Sequence, residues 1–134
     1  MAKYTYAITI ANVEPDSSLF EKPGTKSDIL SAFDKVDWNS LVESQFNSDD
    51  CSSFHVDDDE TDHSIVLFLD DNRETIQFSG LYTFPIIRKK WFGLVQQDDY
   101  DSLEIPDGLG VEDARLFIEL FLNEKYDQLK PYTS

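Results

Sequence analysis

Between Val36 and Asn72 the chain carries eleven Asp and Glu residues and no Lys or Arg, yet this stretch encloses the most apolar run of the sequence, Ile65-Val66-Leu67-Phe68-Leu69. That combination constrains the fold more than any other feature. Five consecutive apolar side chains leave no polar face, so the run reads as a strand buried centrally in a sheet. Carboxylates cannot follow it into a core unpaired. The acids before it (Asp49, Asp50, Asp57, Asp58, Asp59, Glu60, Asp62) and after it (Asp70, Asp71) therefore belong at its two ends. Asp57 to Asp62 reads as a solvated turn after a brief strand from Ser53 to Asp57. Asp70-Asp71-Asn72 reads as a tight hairpin connection.

The remaining elements follow from periodicity. Tyr4, Tyr6, Ile8 and Ile10 alternate with Lys3, Thr5, Ala7 and Thr9 as a half-buried strand does. Asn12 to Gly24 has the prolines and polar residues of a loop, anchored by Leu19-Phe20. Ser27 is placed to cap a helix through Val36, with Ile29, Leu30 and Phe33 on its buried stripe, and Asp37 opens a second with Trp38, Leu41, Val42 and Phe46. After the hairpin, Glu74 to Phe84 alternates as a return strand, with Gly80 marking a bulge or bend and Pro85 ending or kinking it. Ile86 to Val95 is a weaker strand, and Gln96 to Asp107 reads as a second acidic loop. Ala114, Phe117, Ile118, Phe121 and Leu122 give a closing amphipathic helix that stops at Asn123. A single turn follows between Tyr126 and Lys130. The expectation is one α+β domain over residues 1–134, an antiparallel sheet of about four to five strands with helices packed on it. Ten Phe, six Tyr and two Trp supply the apolar area that such a domain needs against a net charge of −16.

That charge disfavours nucleic acid and anionic membranes as direct partners and favours fast encounter with something basic, although it serves solubility equally well. The longest apolar run falls far short of the roughly 20 residues that span a bilayer. Cys51 is the single cysteine, so no intrachain disulfide forms. The start Met1-Ala2-Lys3-Tyr4-Thr5-Tyr6 lacks the layout of a secretion signal, and a cytoplasmic location is expected. No nucleophile elbow, phosphate loop, dinucleotide fingerprint or zinc-protease motif is present, and catalysis is not expected. A calcium loop begun at Asp58 fails because His63 stands where the turn glycine belongs and Leu69 where the bidentate Glu belongs. Cys51, His55 and His63 match no paired zinc spacing, and Cys51 reads as a small apolar filler. No metal or cofactor is expected. Arg88-Lys89-Lys90 beside Trp91 and Phe92 has the residue types of a nucleic-acid patch, but three cations cannot outweigh the surrounding field and read instead as its internal counterweight.

What remains is the acidic surface as a binding site. Asp49, Asp50, Asp57, Asp58, Asp59, Glu60, Asp62, Asp70, Asp71, Asp98, Asp99 and Asp101 would meet a basic partner, with Phe54 and Tyr100 as apolar anchors. The hairpin Ser64-Ile65-Val66-Leu67-Phe68-Leu69 to Thr75-Ile76-Gln77-Phe78 and the helix Val111-Glu112-Asp113-Ala114-Arg115-Leu116-Phe117-Ile118-Glu119-Leu120-Phe121 resemble the small acidic immunity proteins that protect bacteria from polymorphic or contact-dependent toxins. The likeness covers roughly the last half of the chain. It implies a cytoplasmic, non-catalytic protein that binds one cognate toxin domain, typically a basic nuclease, and occludes its active site. Two other readings stay open: a DNA mimic that inhibits a restriction or other DNA-binding enzyme, and an acidic adaptor whose charge has no specific role.

Overall fold

The computed structural model describes residues 3–9, 19–45, 51–70, 76–90, 93 and 95–133, with 19–22, 44, 45, 88–90, 107 and 132 described by backbone alone. Within them, six strands form one antiparallel sheet in the order β2-β1-β3-β4-β5-β6. These are β1 (Tyr4–Thr9), β2 (Leu19–Gly24), β3 (Ser53–Asp58), β4 (His63–Leu69), β5 (Gln77–Lys90) and β6 (Val95–Gly110). Helices α1 (Lys26–Lys35), α2 (Trp38–Gln45) and α3 (Val111–Leu122) are followed by two short 3-10 turns, Tyr126–Gln128 and Lys130–Tyr132. The α+β class expected from periodicity is the one observed, in a larger sheet. No described helix is long and apolar enough to cross a membrane.

Strand β4 lies between β3 and β5, each pairing with it over six residues. Its alternation sorts the apolar run: Ile65, Leu67 and Leu69 are fully buried under the helices, while Val66 and Phe68 are half-buried on the opposite face. Phe54 and Val56 of β3, Tyr4 and Tyr6 of β1, and Phe78 and Tyr82 of β5 complete the sheet side of the core. Opposite them, Phe33 of α1 makes an edge contact with Phe54 at 5.4 Å, and Trp38 of α2 one with Phe78 at 5.0 Å. Each such buried aromatic contributes about 2–3 kcal/mol of transfer free energy. Helix α3 buries Ala114, Phe117, Ile118, Phe121 and Leu122, the stripe its 3.6-residue period marks out. The Tyr4 hydroxyl donates to the Leu122 carbonyl at 2.7 Å, tying β1 to the end of that helix.

Several local expectations are revised. Helix α1 is capped by Thr25, whose Oγ1 accepts from Asp28 N–H while its own N–H donates to Asp28 Oδ2. Ser27 therefore lies inside the first turn, because the reciprocal capping box needs its acid three residues after the cap. Residues 19–24, read as loop, form edge strand β2, where Pro23 is tolerated because only one side of the strand is paired. The last paired residues of the central hairpin are Leu69 and Phe78, with Asp70 N–H donating to Gln77 O, so the connection is longer than the tight Asp70-Asp71-Asn72 turn expected. Residues 71–75, Ile10 and Phe46 lie outside the described residues.

The largest revision concerns 86–107. Pro85 does not end β5, which runs on to Lys90, and Gln96 to Asp107 is no loop but most of β6. Past Thr83, strand β5 has lost β4 as a neighbour and pairs with β6 alone, so one side is open and a missing N–H is harmless. This ribbon continues for about 20 Å beyond the sheet, at ~3.3 Å per residue. Water reaches both of its faces, which is why its sequence lacks the apolar alternation of a strand. The bulge anticipated at Gly80 sits across from it, in β6 between Ile105 and Leu109. Gly80 itself is needed for close approach, since a Cβ there would stand 2.1 Å from the Val66 carbonyl oxygen.

Candidate functional site

The β3–β4 connection, Asp59 to Asp62, carries the densest acid in the chain, and a buried carboxylate holds it in place. Asp58 ends β3 on the core face and is 1 % exposed. Its Oδ1 accepts the N–H groups of Glu60 (3.0 Å) and Thr61 (3.2 Å), and its Oδ2 accepts the Tyr126 hydroxyl (3.2 Å). Lys3 Nζ lies 3.6 Å from Asp58 and 3.9 Å from Glu60, and also pairs with Glu124. The hydrogen bond to Glu124 is the main cause that holds the Lys3 ammonium protonated well above its ordinary range. The turn closes on Asp62 in the left-handed region (φ 60°), a conformation that Asp accepts more readily than most residues.

Behind Asp58 stands an aromatic stack. The His63 ring lies parallel to Tyr126 at 3.9 Å, and its Nδ1 is 2.6 Å from the Tyr82 hydroxyl. Burial lowers the His63 pKa, with Asp58, Glu124 and Asp62 pulling it back only in part. Burial also pushes the Tyr82 phenol up, and the Tyr126 phenol up to about 12 with the Asp58 carboxylate acting in the same direction. Tyr82 therefore stays a hydroxyl, hydrogen-bonded to the His63 ring. His63 is in this way a structural member of the core edge.

In front of this support the chain forms two adjoining hollows. One, of ≈ 200 Å³, is lined by Asp57, Asp58, Asp59, Asp62, His63, Ser64, Thr83 and Tyr100. The other, of ≈ 590 Å³, is lined by Asp62, Pro85, Ile86, Ile87, Asp98, Asp99 and Tyr100. Asp62 and Tyr100 belong to both, so the β3–β4 turn and the β5–β6 ribbon bound one continuous groove. The register explains the convergence. Ser64 pairs with Thr83, so Asp62 is carried past the end of the β4 ladder to the level of Pro85, and Pro85 pairs with Tyr100. Two clusters some forty positions apart in sequence thus meet at one end of the sheet. Pro85 and Ile87 stand directly across from Tyr100 and Asp98, sharing one face of the ribbon. Ile87 is 63 % exposed and Tyr100 53 %, large apolar groups presented to water amid carboxylates.

No family model, curated protein or solved structure matches the chain.

The expected binding residues separate accordingly. Asp57, Asp59, Asp62, Asp98, Asp99 and Tyr100 line the groove, with exposed Glu60 on the same turn. Asp57 also lies 2.9 Å from His55 Nε2. Asp101 is exposed on β6 opposite Phe84 and lines neither hollow. Two assignments are corrected. Phe54 is fully buried, packed against Phe33 and Tyr6, because β3 alternation turns it inward, so it cannot anchor a partner. Asp58, a lining residue of the smaller hollow, has its carboxylate buried and held by the turn rather than presented to solvent. Asp70 is half-buried at the opposite end of β4, accepting from Ser79 Oγ at 3.1 Å, and is remote from the groove. Asp49, Asp50 and Asp71 lie outside the described residues.

Ile87 and Pro85 escaped the sequence reading because a strand through Pro85 was not anticipated. The apolar pair Ile86-Ile87, between a proline and a basic-then-acidic stretch, was the available signal. Cys51 is exposed and does not fill the core. Among the described residues no three His, Cys, Asp or Glu side chains come together as a metal-holding group. Arg88, Lys89 and Lys90 pair in register with Gln97, Gln96 and Val95, one step beyond Asp98, and their side chains are not described.

Proposed function

We propose that this protein binds a basic protein partner through the groove between the β3–β4 turn and the β5–β6 ribbon, in the manner of an immunity protein that occludes the active site of a toxin nuclease. One observation carries the reading: two acidic segments distant in sequence meet around exposed Tyr100 and Ile87 in a single hollow. Carboxylates in that arrangement present negative charge as phosphates do, which accelerates encounter with a nuclease cleft and penalises other partners. Large exposed side chains at the centre supply the desolvated anchors that convert encounter into residence. No chemistry is required of the groove. Its rigidity comes from Asp58 and the aromatic stack behind it.

The experiment is growth rescue and co-purification on co-expression with toxin nuclease domains, screened for a cognate one. The parent chain should protect cells and copurify with the domain. A variant with Asp59→Asn, Glu60→Gln, Asp98→Asn and Asp99→Asn should fold but lose both properties. Full protection by that variant would remove the acidic groove as the binding site.

A further inference from the structure

We propose that the larger hollow, bounded by Asp62, Ile87, Asp98, Asp99 and Tyr100, is a socket for an arginine flanked by an apolar residue on the partner's surface. The inference rests on the reading that the acidic groove meets a basic protein, and narrows what that protein must present. Charge alone would attract lysine and arginine alike, from any basic surface. The hollow offers more than charge. It is lined by Asp62, Asp98 and Asp99 together with Pro85, Ile86, Ile87 and Tyr100, in a volume of ≈ 590 Å³. That volume falls within the range of specific ligand sites and exceeds what a single side chain fills.

A guanidinium matches these walls better than an ammonium does. It stacks flat on an aromatic ring, donates through a planar fork to carboxylates, and gives up its hydration shell more readily. With the head between the Asp62 turn and Asp98, the methylene stem lies along Ile87 and Pro85, which share Asp98's face of the ribbon. The remaining space suits a neighbouring Leu or Ile. The clustered exposure of Ile87 and Tyr100 on one face of the ribbon then has a purpose.

The test uses the intact chain, isotope-labelled for NMR, and three capped hexapeptides of equal charge: alternating Arg-Leu, Lys-Leu and Arg-Ser. The Arg-Leu peptide should shift the Ile86 and Ile87 methyls, the Tyr100 ring and the Asp62, Asp98 and Asp99 amides, binding about tenfold more tightly than either control. Ile87→Ser with Tyr100→Ala, two exposed positions, should reduce Arg-Leu binding to the Arg-Ser level while leaving the Phe78 and Phe117 core signals in place. Equal affinities for all three peptides, unaffected by that double variant, would overturn the socket and leave a groove that binds by diffuse charge. Absence of any shift at low salt would overturn both the socket and the charge-based reading.

Discussion

Asp58 is the most exacting test of how this acidic region is built, because it is the fully buried carboxylate of its cluster. Replacing it with Ala removes the acceptor for two backbone N–H groups and for the Tyr126 hydroxyl. Each of these costs about 1 kcal/mol when lost from a part-buried site. The half-exposed Lys3 retains Glu124 and Glu60, so its share adds no more than ~0.5 kcal/mol. Relief from burying a charge offsets part of the sum. The expected loss is about 2–3 kcal/mol, a large fraction of the ~5–15 kcal/mol typical of a domain. Asp58→Asn keeps an oxygen for the two N–H groups and should cost about 1 kcal/mol. Urea unfolding at neutral pH measures both, and amide exchange locates the damage: Glu60 and Thr61 should exchange faster in the Ala variant and remain protected in the Asn variant. A loss below ~0.5 kcal/mol for Asp58→Ala, with unchanged exchange, would refute the claim that this carboxylate organises the turn.

Other consequences are as direct. Gly80→Ala sets a Cβ against the Val66 carbonyl, which a backbone cannot yield without opening the β4–β5 ladder; a loss of about 3 kcal/mol or failure to accumulate is expected in a solubility and melting assay. Thr25→Ala removes one half of the capping box and should cost about 1 kcal/mol in the same unfolding experiment, with α1 amides losing protection first. His63 has a folded pKa below its unfolded value of about 6.5, so the unfolded chain binds the extra proton between the two. The neutral-form stability is complete above pH 6.5 and is lost as pH falls through the folded pKa; His63→Gln should flatten the dependence of the urea midpoint between pH 7.5 and 5.5.

Much of the fold was legible where one face meets a core and the other meets water. Strand β1 and helix α3 declare their period, the buried stripe of α3 is the one that period marks, and the unbroken apolar run Ile65 to Leu69 is the central strand β4. Strand β6 was not legible, for a physical reason. Its part beyond the sheet, 95–101, is solvated on both faces and imposes no alternation on its side chains, and its Asp content reads as loop. Pro85 compounded the error, since proline forbids a central strand but not an open-sided one. The site suffered in the same way. That Asp57 to Asp62 was acidic and turn-like could be read directly, but its meeting with Asp98-Asp99 depends on the register of β4, β5 and β6, a long-range property that no local pattern encodes. The buried roles of Asp58 and Phe54 follow from alternation along β3, whose six residues carry inward positions at 54, 56 and 58.

The measurement that bears most directly on the proposed binding role is the affinity of the proposed partner, a basic toxin nuclease domain, by calorimetry at two salt concentrations, for three charge-matched variants. One neutralises Asp59 and Glu60 on the turn, one neutralises Asp98 and Asp99 on the ribbon, and one neutralises Glu112 and Asp113, exposed on α3. If the groove is one site, each of the first two weakens binding at least tenfold and reduces its salt dependence, while the α3 variant binds as the parent does. Equal weakening by all three would show that net charge, and not the groove, determines binding.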